Sequence, residues 1–157
     1  MFDIFTKKFQ VVAPISGKCV RLEDVNDEVF SKKMMGDGFA IIPDPHVNIV
    51  FSPIDGKIIT IPSTLHAVGL KARNGVEILV HIGLDTVNLN GYGFDSLAKT
   101  NQTVKKGDPL IRFDPIIMRN KGLDMTTMVI FTNGYEKPVD LNENYNHLVE
   151  ASAILIN

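Results

Sequence analysis

The residues of this chain with the clearest potential for chemistry are two of its four histidines, His66 and His81. In the run Gly75–Ile82 every second residue is apolar, and a β-strand would place that apolar row on one face and His81 on the other. Gly83 follows, and its lack of a side chain would leave open space beside the imidazole and allow a kink that turns its carbonyl toward the ring. If that carbonyl accepts a hydrogen bond from Nδ1, then Nε2 keeps a free lone pair.

A β-hairpin is predicted to position the two histidines. Ser63–Ala67 is a second strand-like stretch, and Arg73-Asn74-Gly75 is a turn signal ahead of His81. Antiparallel pairing would bring His66 and His81 to neighbouring positions of one face, with Thr64 on the same side to fix the tautomer of the His66 ring. Adjacent imidazoles have few structural uses, which favours a reactive site. On residue types alone, ordinary surface or core histidines are an equal alternative.

The remaining histidines lack such a setting. His46 lies in a loop between Pro45 and Val47, and His147 follows the polar stretch Asn142–Asn146. Both are predicted to be structural or exposed to solvent.

Composition limits the class of protein. The chain has 157 residues, 45% of them hydrophobic and 22% charged, with a mean hydropathy of +0.09, which predicts one compact domain. Its 16 basic and 18 acidic residues give a net charge of −2, so bulk charge excludes nucleic acid as the main partner. The single Cys19 cannot form an internal disulfide, which favours a cytoplasmic location. Apolar runs such as Ile78–Val80 are far shorter than the roughly 20 residues that cross a bilayer.

The elements that must carry the histidines are predicted to be β-strands. Glycines and prolines punctuate short apolar runs along the whole chain, which is typical of an all-β sandwich or barrel. Helix is limited to two short segments, Glu28–Met35 after the capping residue Asp27, and Asp114–Lys121 before a stop at Gly122. The predicted strands are Phe9–Ala13, Gly17–Arg21, Phe39–Pro43, Asn48–Ser52, Gly56–Ile61, His66–Lys71, Gly75–Ile82, Pro109–Phe113, Thr126–Phe131 and Ala153–Ile156.

Two pairs of segments suggest a duplicated β-motif. Ala13–Lys18 is echoed by Ser52–Lys57, and Gly36–Ile41 is echoed by Gly107–Ile111. In each pair a turn leads into a strand. Turn chemistry that recurs in any β-protein is an equal alternative explanation.

Several motifs, in order along the chain, resemble the glucose-class enzyme IIA of the bacterial phosphoenolpyruvate-dependent sugar phosphotransferase system. The strongest is Val80–Val87, which is similar to the phosphorylation-site signature of that family. The resemblance runs from Val11 to Ile156 and implies an antiparallel β-sandwich of duplicated hybrid motifs, with residues 1–10 as a tail and 11–157 as one IIA domain. Supporting motifs are Ala13–Gly17, Leu22–Val25, Met35–Gly38, Ser52–Gly56, Thr64–Ala67 and Val104–Asp108.

The resemblance also implies a phosphotransferase reaction. His81 would accept a phosphoryl group on Nε2 from the phosphohistidine of the phosphocarrier protein HPr and pass it to the IIB domain of a membrane sugar permease. His66 would hydrogen-bond the phosphoryl oxygens, with Thr64 and Gly83 orienting the two rings. A neutral imidazole is nucleophilic near pH 7, so no cofactor is required.

The partner-docking surface is implied in the same way. Asp27 and Asp85 match an acidic pair that flanks the site and faces arginines of the carrier. Phe30, Met34, Met35 and Val87 match an apolar rim on which partners dock, and methionine suits a surface that fits several partners. Ordinary packing of a short helix is the alternative for the rim. Regulated transporters or metabolic enzymes are further candidate partners, and the chain is expected to act as a monomer.

Two segments depart from the family pattern. Met1–Phe9 combines Phe2, Ile4 and Phe5 with lysines, a composition typical of an amphipathic tail that touches a membrane. Glu150–Ala153 lacks the glycine expected before the last strand, so the final turn is in doubt.

Two other functions remain as alternatives. His81-Ile82-Gly83-Leu84-Asp85 has the His-x-x-x-Asp form of a zinc hydrolase, but the chain has no His-x-His to complete the site. His66 and His81 would bind a regulatory zinc ion only with a carboxylate from a partner, which the family resemblance also suggests. Val104–Asp108 is similar to a segment of swinging-arm carrier domains, but Lys32–Met35 does not match their modified-lysine motif.

Overall fold

Antiparallel strands make up most of the regular secondary structure in this computed structural model, which describes residues 8–157. Two short helices, α1 (Glu28–Ser31) and α2 (Pro115–Asn120), and 3₁₀ turns at Leu22–Asp24, Thr86–Leu89 and Asn142–Asn144 complete the described elements. The strands are β1 (Val11–Val12), β2 (Gly17–Arg21), β3 (Asp37–Pro43), β4 (Ile49–Phe51), β5 (Gly56–Thr60), β6 (Ala67–Lys71), β7 (Glu77–Ile82), β8 (Phe94–Ser96), β9 (Thr103–Val104), β10 (Pro109–Phe113), β11 (Thr127–Asn133), β12 (Leu148–Val149) and β13 (Ile154–Ile156).

The largest sheet has eight strands in the order β12-β2-β3-β11-β7-β6-β5-β9. A three-stranded sheet, β4-β10-β8, and the pair β1-β13 complete the set, and the strands pair antiparallel throughout. The main core packs against the face of the large sheet that carries Ile78, Val80 and Ile82. The predicted all-β, antiparallel sandwich is confirmed.

Every predicted strand overlaps a strand of the structure. The strands that were not predicted, β8, β9 and β12, have only two or three residues and lie at the edges of their sheets. Such short segments cannot show an alternation of apolar and polar residues, so periodicity gives no signal for them.

Helix α1 is shorter than predicted. Asp27 caps it as expected, since its carboxylate accepts a hydrogen bond from the Val29 N–H at 2.9 Å. The helix ends at Ser31, and Lys33 takes a left-handed conformation with φ of +57°. Met34 and Met35 therefore lie in a turn, which corrects the predicted helix Glu28–Met35. In α2 both predicted ends hold, with Asp114 as the cap and a left-handed Gly122 beyond the last turn.

A second, smaller apolar cluster lies on the opposite face of the large sheet. It contains Val20, Ala40 and Met128 from three neighbouring strands and Phe30 from α1. The cluster joins α1 to the sheet face on which His81 stands, since Met128 is the cross-strand partner of His81.

Reciprocal hydrogen bonds support the first of the two sequence echoes. The Phe51 N–H donates to the Pro14 carbonyl, and the Val12 N–H donates to the Pro53 carbonyl, each at 2.8 Å. The two proline turns therefore occupy equivalent positions about a local twofold relation.

The second echo paired the wrong segments. The Gly107 N–H donates to the Ser52 carbonyl at 2.9 Å, and the Ser152 N–H donates to the Ala13 carbonyl at 2.8 Å. Gly107 therefore corresponds to Ser152, not to Gly36. Ser152 adopts φ of +71°, close to the +88° of Gly107, so a serine forms the final turn where a glycine was expected.

Among residues 8–157 no helix is long and apolar enough to span a bilayer. The predicted amphipathic tail lies outside the described residues apart from Lys8 and Phe9. The Phe9 ring lies 6.2 Å from that of Tyr135, centroid to centroid.

Candidate functional site

His81 stands near the end of β7, between Ala67 of β6 and Met128 of β11. Its Nδ1 lies 3.0 Å from the Gly83 carbonyl oxygen. A carbonyl only accepts, so Nδ1 carries the proton and Nε2 keeps its lone pair in the neutral ring. The tautomer expected from the sequence therefore follows from this geometry.

Gly83 is required by its conformation and its neighbours. It has φ of +78°, and a Cβ there would lie 2.6 Å from Cγ2 of Thr86 and 2.9 Å from Sδ of Met125. The space beside Gly83 is thus filled, which corrects the expectation of an open space. Any larger residue would displace the carbonyl that holds His81.

His66 reaches the site by a different route from the one predicted. It precedes β6 and follows Leu65, whose φ is +58°. The register of β6 and β7 extends to a pairing of His66 with Ile82, and a regular strand would turn its side chain to the core face, away from His81. Because of the turn at Leu65, the side chain of His66 does not follow the alternation of a regular strand. The two histidines are therefore brought together by a turn and not by a shared strand face.

The two imidazoles lie edge to face. Their ring centroids are 5.0 Å apart and their planes are inclined by 79°. Oγ1 of Thr64 lies 2.7 Å from Nδ1 of His66, in the contact that the sequence predicted. The ring of Phe30 lies 4.7 Å from that of His81 and packs against it.

Burial keeps both rings neutral. It is the main reason that the pKa of His81 falls to about 4, and the neighbouring His66 lowers it further. The Gly83 carbonyl and the Asp27 carboxylate oppose this shift. Burial also lowers the pKa of His66. Near pH 7, His81 therefore presents an unprotonated Nε2 without needing a separate base.

The predicted apolar rim is largely exposed. Met34 is 70% exposed, Met35 40% and Val87 44%. Phe30 is only 5% exposed, so it supports the His81 ring from below and is not part of a docking rim. Val29, which precedes Phe30 in α1 and was not predicted, is 41% exposed and takes its place at the surface.

The structure gives the two predicted acidic residues different settings. Asp27 is half-buried at the start of α1, and its charge acts on His81. Asp85 is exposed, with φ of +60° and no hydrogen bond from its side chain to the 3₁₀ turn that it precedes. His46 and His147 are exposed, as predicted.

Two residues that anchor the Gly83 turn were missed from the sequence. Thr86 is fully buried and donates a hydrogen bond to the Ile82 carbonyl at 2.5 Å, and Met125 packs on Gly83. Thr86 follows Gly83 by three residues, and a threonine this close to a glycine turn is a sequence signal for a hydroxyl that hydrogen-bonds the neighbouring backbone.

Residues 8–157 contain no group of three or more His, Cys, Asp or Glu side chains placed to hold a metal ion. A catalytic zinc site needs three protein ligands. The zinc-hydrolase alternative has no complete ligand set in this part of the chain.

Residues 9–136 match the family model described as phosphoenolpyruvate-dependent sugar phosphotransferase system, EIIA 1. The chain belongs to this family. The glucose-specific EIIA component of Staphylococcus epidermidis RP62A is 49% identical to this EIIA chain over 127 residues, which are 81% of this chain and 75% of that protein. The Bacillus cereus component is 45% identical over 128 residues, 82% of this chain and 76% of that protein. The structure of glucose permease IIA from Mycoplasma capricolum matches with a TM-score of 0.86 and 38% identity, covering 99% of this chain and 98% of that one.

These similarities confirm the family and the fold predicted from the sequence. The family is part of a sugar-transporting phosphotransferase system, so its members take part in phosphoryl transfer. In this EIIA chain the histidine pair has a geometry that suits such chemistry.

Proposed function

We propose that the chain is a phosphoryl carrier that accepts phosphate from HPr on Nε2 of His81 and donates it to the IIB domain of a sugar permease. The observation that carries the proposal is the contact between Nδ1 of His81 and the Gly83 carbonyl. This contact leaves Nε2 as the nucleophile, on a ring that burial keeps neutral.

The transfer is balanced without a separate acid or base. The Nε2 lone pair attacks phosphorus, a new N–P bond forms, and the N–P bond of the donor phosphohistidine breaks to leave its imidazole. Nδ1 keeps its proton, and the Gly83 carbonyl stabilises the positive charge that the phosphorylated ring gains. The second transfer repeats this exchange with the reacting residue of the IIB domain as acceptor.

His66 and Thr64 fit the stabilisation of the transferred group. If the Thr64 hydroxyl donates to Nδ1 of His66, the His66 proton lies on Nε2 and can be donated to phosphoryl oxygens. A loose phosphoryl-transfer transition state needs in-line positioning and stabilisation of its equatorial oxygens. His66 is thus assigned the stabilisation of the equatorial phosphoryl oxygens. The reaction requires no cofactor.

The surface around His81 suits the docking of both protein partners. Val29, Met34, Met35 and Val87 are exposed apolar side chains, and unbranched methionines adapt to different partners. Asp27 and Asp85 would face basic residues of HPr. We place the reaction in the cytoplasm, on a monomer that meets its partners in turn.

Regulated transporters and metabolic enzymes are candidate partners for the same surface. A regulatory zinc ion fits the histidine pair in part, since two imidazole nitrogens are at hand and the other ligands would come from a carboxylate of the partner. Nothing in the phosphoryl transfer depends on such an ion.

Phosphorylation by a reconstituted system tests the proposal. The full chain is incubated with phosphoenolpyruvate, enzyme I and HPr, and acid-labile, base-stable phosphate is measured. We expect H81Q to abolish labelling, whereas H66Q accepts phosphate but passes it to the IIB domain poorly. H46Q and H147Q, at exposed histidines, serve as matched controls and should be labelled like the unmodified chain.

Labelling that survives in H81Q would refute the proposal, and zinc-dependent peptidase activity would favour the hydrolase instead.

A further inference from the structure

The sheet face that carries His81 continues away from the histidine to a pair of lysines, Lys57 and Lys71. His81 is paired with Ala67, and four residues further along β6, on the same face, Lys71 is paired with Glu77. Lys57 of β5 is the cross-strand partner of Lys71 on its other side. At about 3.3 Å per residue, the lysines stand ~13 Å from the row of His81.

The pairing of Lys57 with Lys71 does not stabilise the fold. Both side chains are exposed, and like charges directly opposite each other on neighbouring strands are unfavourable. None of the ion pairs found between residues 8 and 157 includes either lysine. Glu77 lies opposite Lys71, but its carboxylate accepts a hydrogen bond from Nδ2 of Asn133 at 2.8 Å. The two ammonium groups are therefore available to an external anionic group.

A protein of ordinary interface size that docks over His81 would reach these lysines. Stable protein interfaces bury about 800 Å² on each partner, which corresponds to a disc of roughly 16 Å radius. Centred on His81, such a disc includes Lys71, which lies one strand away at ~14 Å, and its edge reaches Lys57, which lies two strands away at ~16 Å. Between the histidine and the lysines, the face of β6 is formed by Ala67 and Gly69, so no bulky side chain of that strand would hold a partner off.

Covering the lysines has an energetic consequence. Ammonium groups that lose water beneath a partner are unfavourable unless they are paired. A partner with carboxylates at this position would meet two positive charges, while Asp27 and Asp85 attract basic residues beside the histidine. The face would then carry both signs of charge, which fixes the orientation of the docked protein.

We propose that Lys57 and Lys71 are a second charged contact for the protein that exchanges a phosphoryl group with His81, and that this partner carries carboxylates opposite them. The inference rests on the proposed phosphoryl-carrier function. It adds a surface remote from the histidine pair and states the chemistry of the partner that fits it.

Charge reversal tests the contact. The double variant K57E/K71E is made in the full chain, and initial rates of phosphoryl transfer are measured from phosphorylated HPr to the chain and from the phosphorylated chain to the IIB domain. At low salt we expect at least one of the two transfers to slow by about tenfold, and the difference to shrink at high salt, since the effect is on electrostatic association. The final extent of His81 labelling should stay unchanged.

Matched variants separate the contact from general effects of charge. K8E/K121E makes the same change in net charge at exposed lysines outside β5 and β6, and should leave both rates unchanged. K57Q/K71Q removes the charges without reversing them and should give a smaller decrease in the transfer rates. It keeps the test valid if the glutamate variant does not fold. Equal rates of K57E/K71E and the unmodified chain with both partners would overturn the inference. So would normal transfer rates combined with loss of binding to phosphatidylserine vesicles, which would assign the lysines to a lipid surface. Failure of the unmodified chain to be labelled at His81 would instead refute the phosphoryl-carrier function.

Discussion

The reactivity of His81 depends on a carbonyl that other residues hold in place. Gly83 presents that carbonyl, its N–H donates to the Thr126 carbonyl at 3.1 Å, and the methyl group of Thr86 fills the space where a side chain would be. The Thr86 hydroxyl satisfies the Ile82 carbonyl one residue earlier. Thr86 is therefore a positioning residue, since it acts on the nucleophile through the Gly83 turn.

Replacing the Thr86 hydroxyl is expected to disturb the ring of His81. T86V keeps the methyl group but leaves a buried carbonyl without a donor, which costs about 1–3 kcal/mol of stability. We expect the turn to relax and phosphoryl transfer to slow by about tenfold, with ¹⁵N NMR showing a larger population of the wrong His81 tautomer. T86S keeps the hydroxyl and should restore much of the tautomer population.

A remote variant distinguishes positioning from simple loss of stability. Ser52 is also fully buried and donates its hydroxyl to a backbone carbonyl, that of Ile54, at 2.7 Å. S52A should lower the stability of the chain yet leave the ¹⁵N signals of His81 unchanged. A T86V spectrum identical to that of S52A would show that Thr86 has no part in setting the tautomer.

At the scale of elements, the two duplicated turns carry different residues at their left-handed position. Ser152 adopts φ of +71° in the position that Gly107 occupies in the other copy, and a left-handed conformation costs an L-residue about 1–2 kcal/mol. S152G should therefore stabilise the fold, less the larger chain entropy of glycine in the unfolded state. We expect a net gain of about 0.5–1 kcal/mol, or ~1–4 °C in Tm by calorimetry.

The opposite substitution in the other copy provides the comparison. A Cβ at Gly107 would lie 3.1 Å from Oγ of Ser152, in a backbone with φ of +88°. G107A should lower Tm, because it adds both backbone strain and a close contact. An S152G variant that melts below the unmodified chain would contradict the equivalence of the two turns.

The strands that pack the core could be predicted from the sequence, because segments such as Glu77–Ile82 are long enough to alternate. Leucine gives no signal for a left-handed backbone, so the turn at Leu65 that brings His66 to His81 could not be predicted. Whether Phe30 packs inward or belongs to the docking rim could not be decided from the sequence, since α1 has four residues and too few turns for a periodic pattern. In both cases the deciding segment is too short to show a pattern in the sequence.

At the scale of the whole molecule, the buried histidine pair links stability to pH. The His81 pKa is about 4 in the folded chain against 6.5 for the free side chain, and burial lowers the pKa of His66 as well. Between these values the unfolded state binds protons that the folded state excludes, so stability must fall as pH falls from 6.5 toward 4. For His81 the difference corresponds to about 3 kcal/mol, since each pKa unit is worth about 1.4 kcal/mol.

Urea denaturation between pH 8 and pH 3 would measure this dependence. The unmodified chain should lose about 3 kcal/mol between pH 6.5 and 4, and H81Q should lose much less, because glutamine does not titrate. Below that range both chains should weaken further as the Asp37 carboxyl protonates. Hydrogen bonds from Val139, Gly38 and Lys33 hold its pKa below the usual value of 3.8 against the opposing effect of burial. D37N should remove part of this second loss and leave the first intact. A stability profile of H81Q that still falls between pH 6.5 and 4 as steeply as that of the unmodified chain would show that His81 is not the buried neutral group.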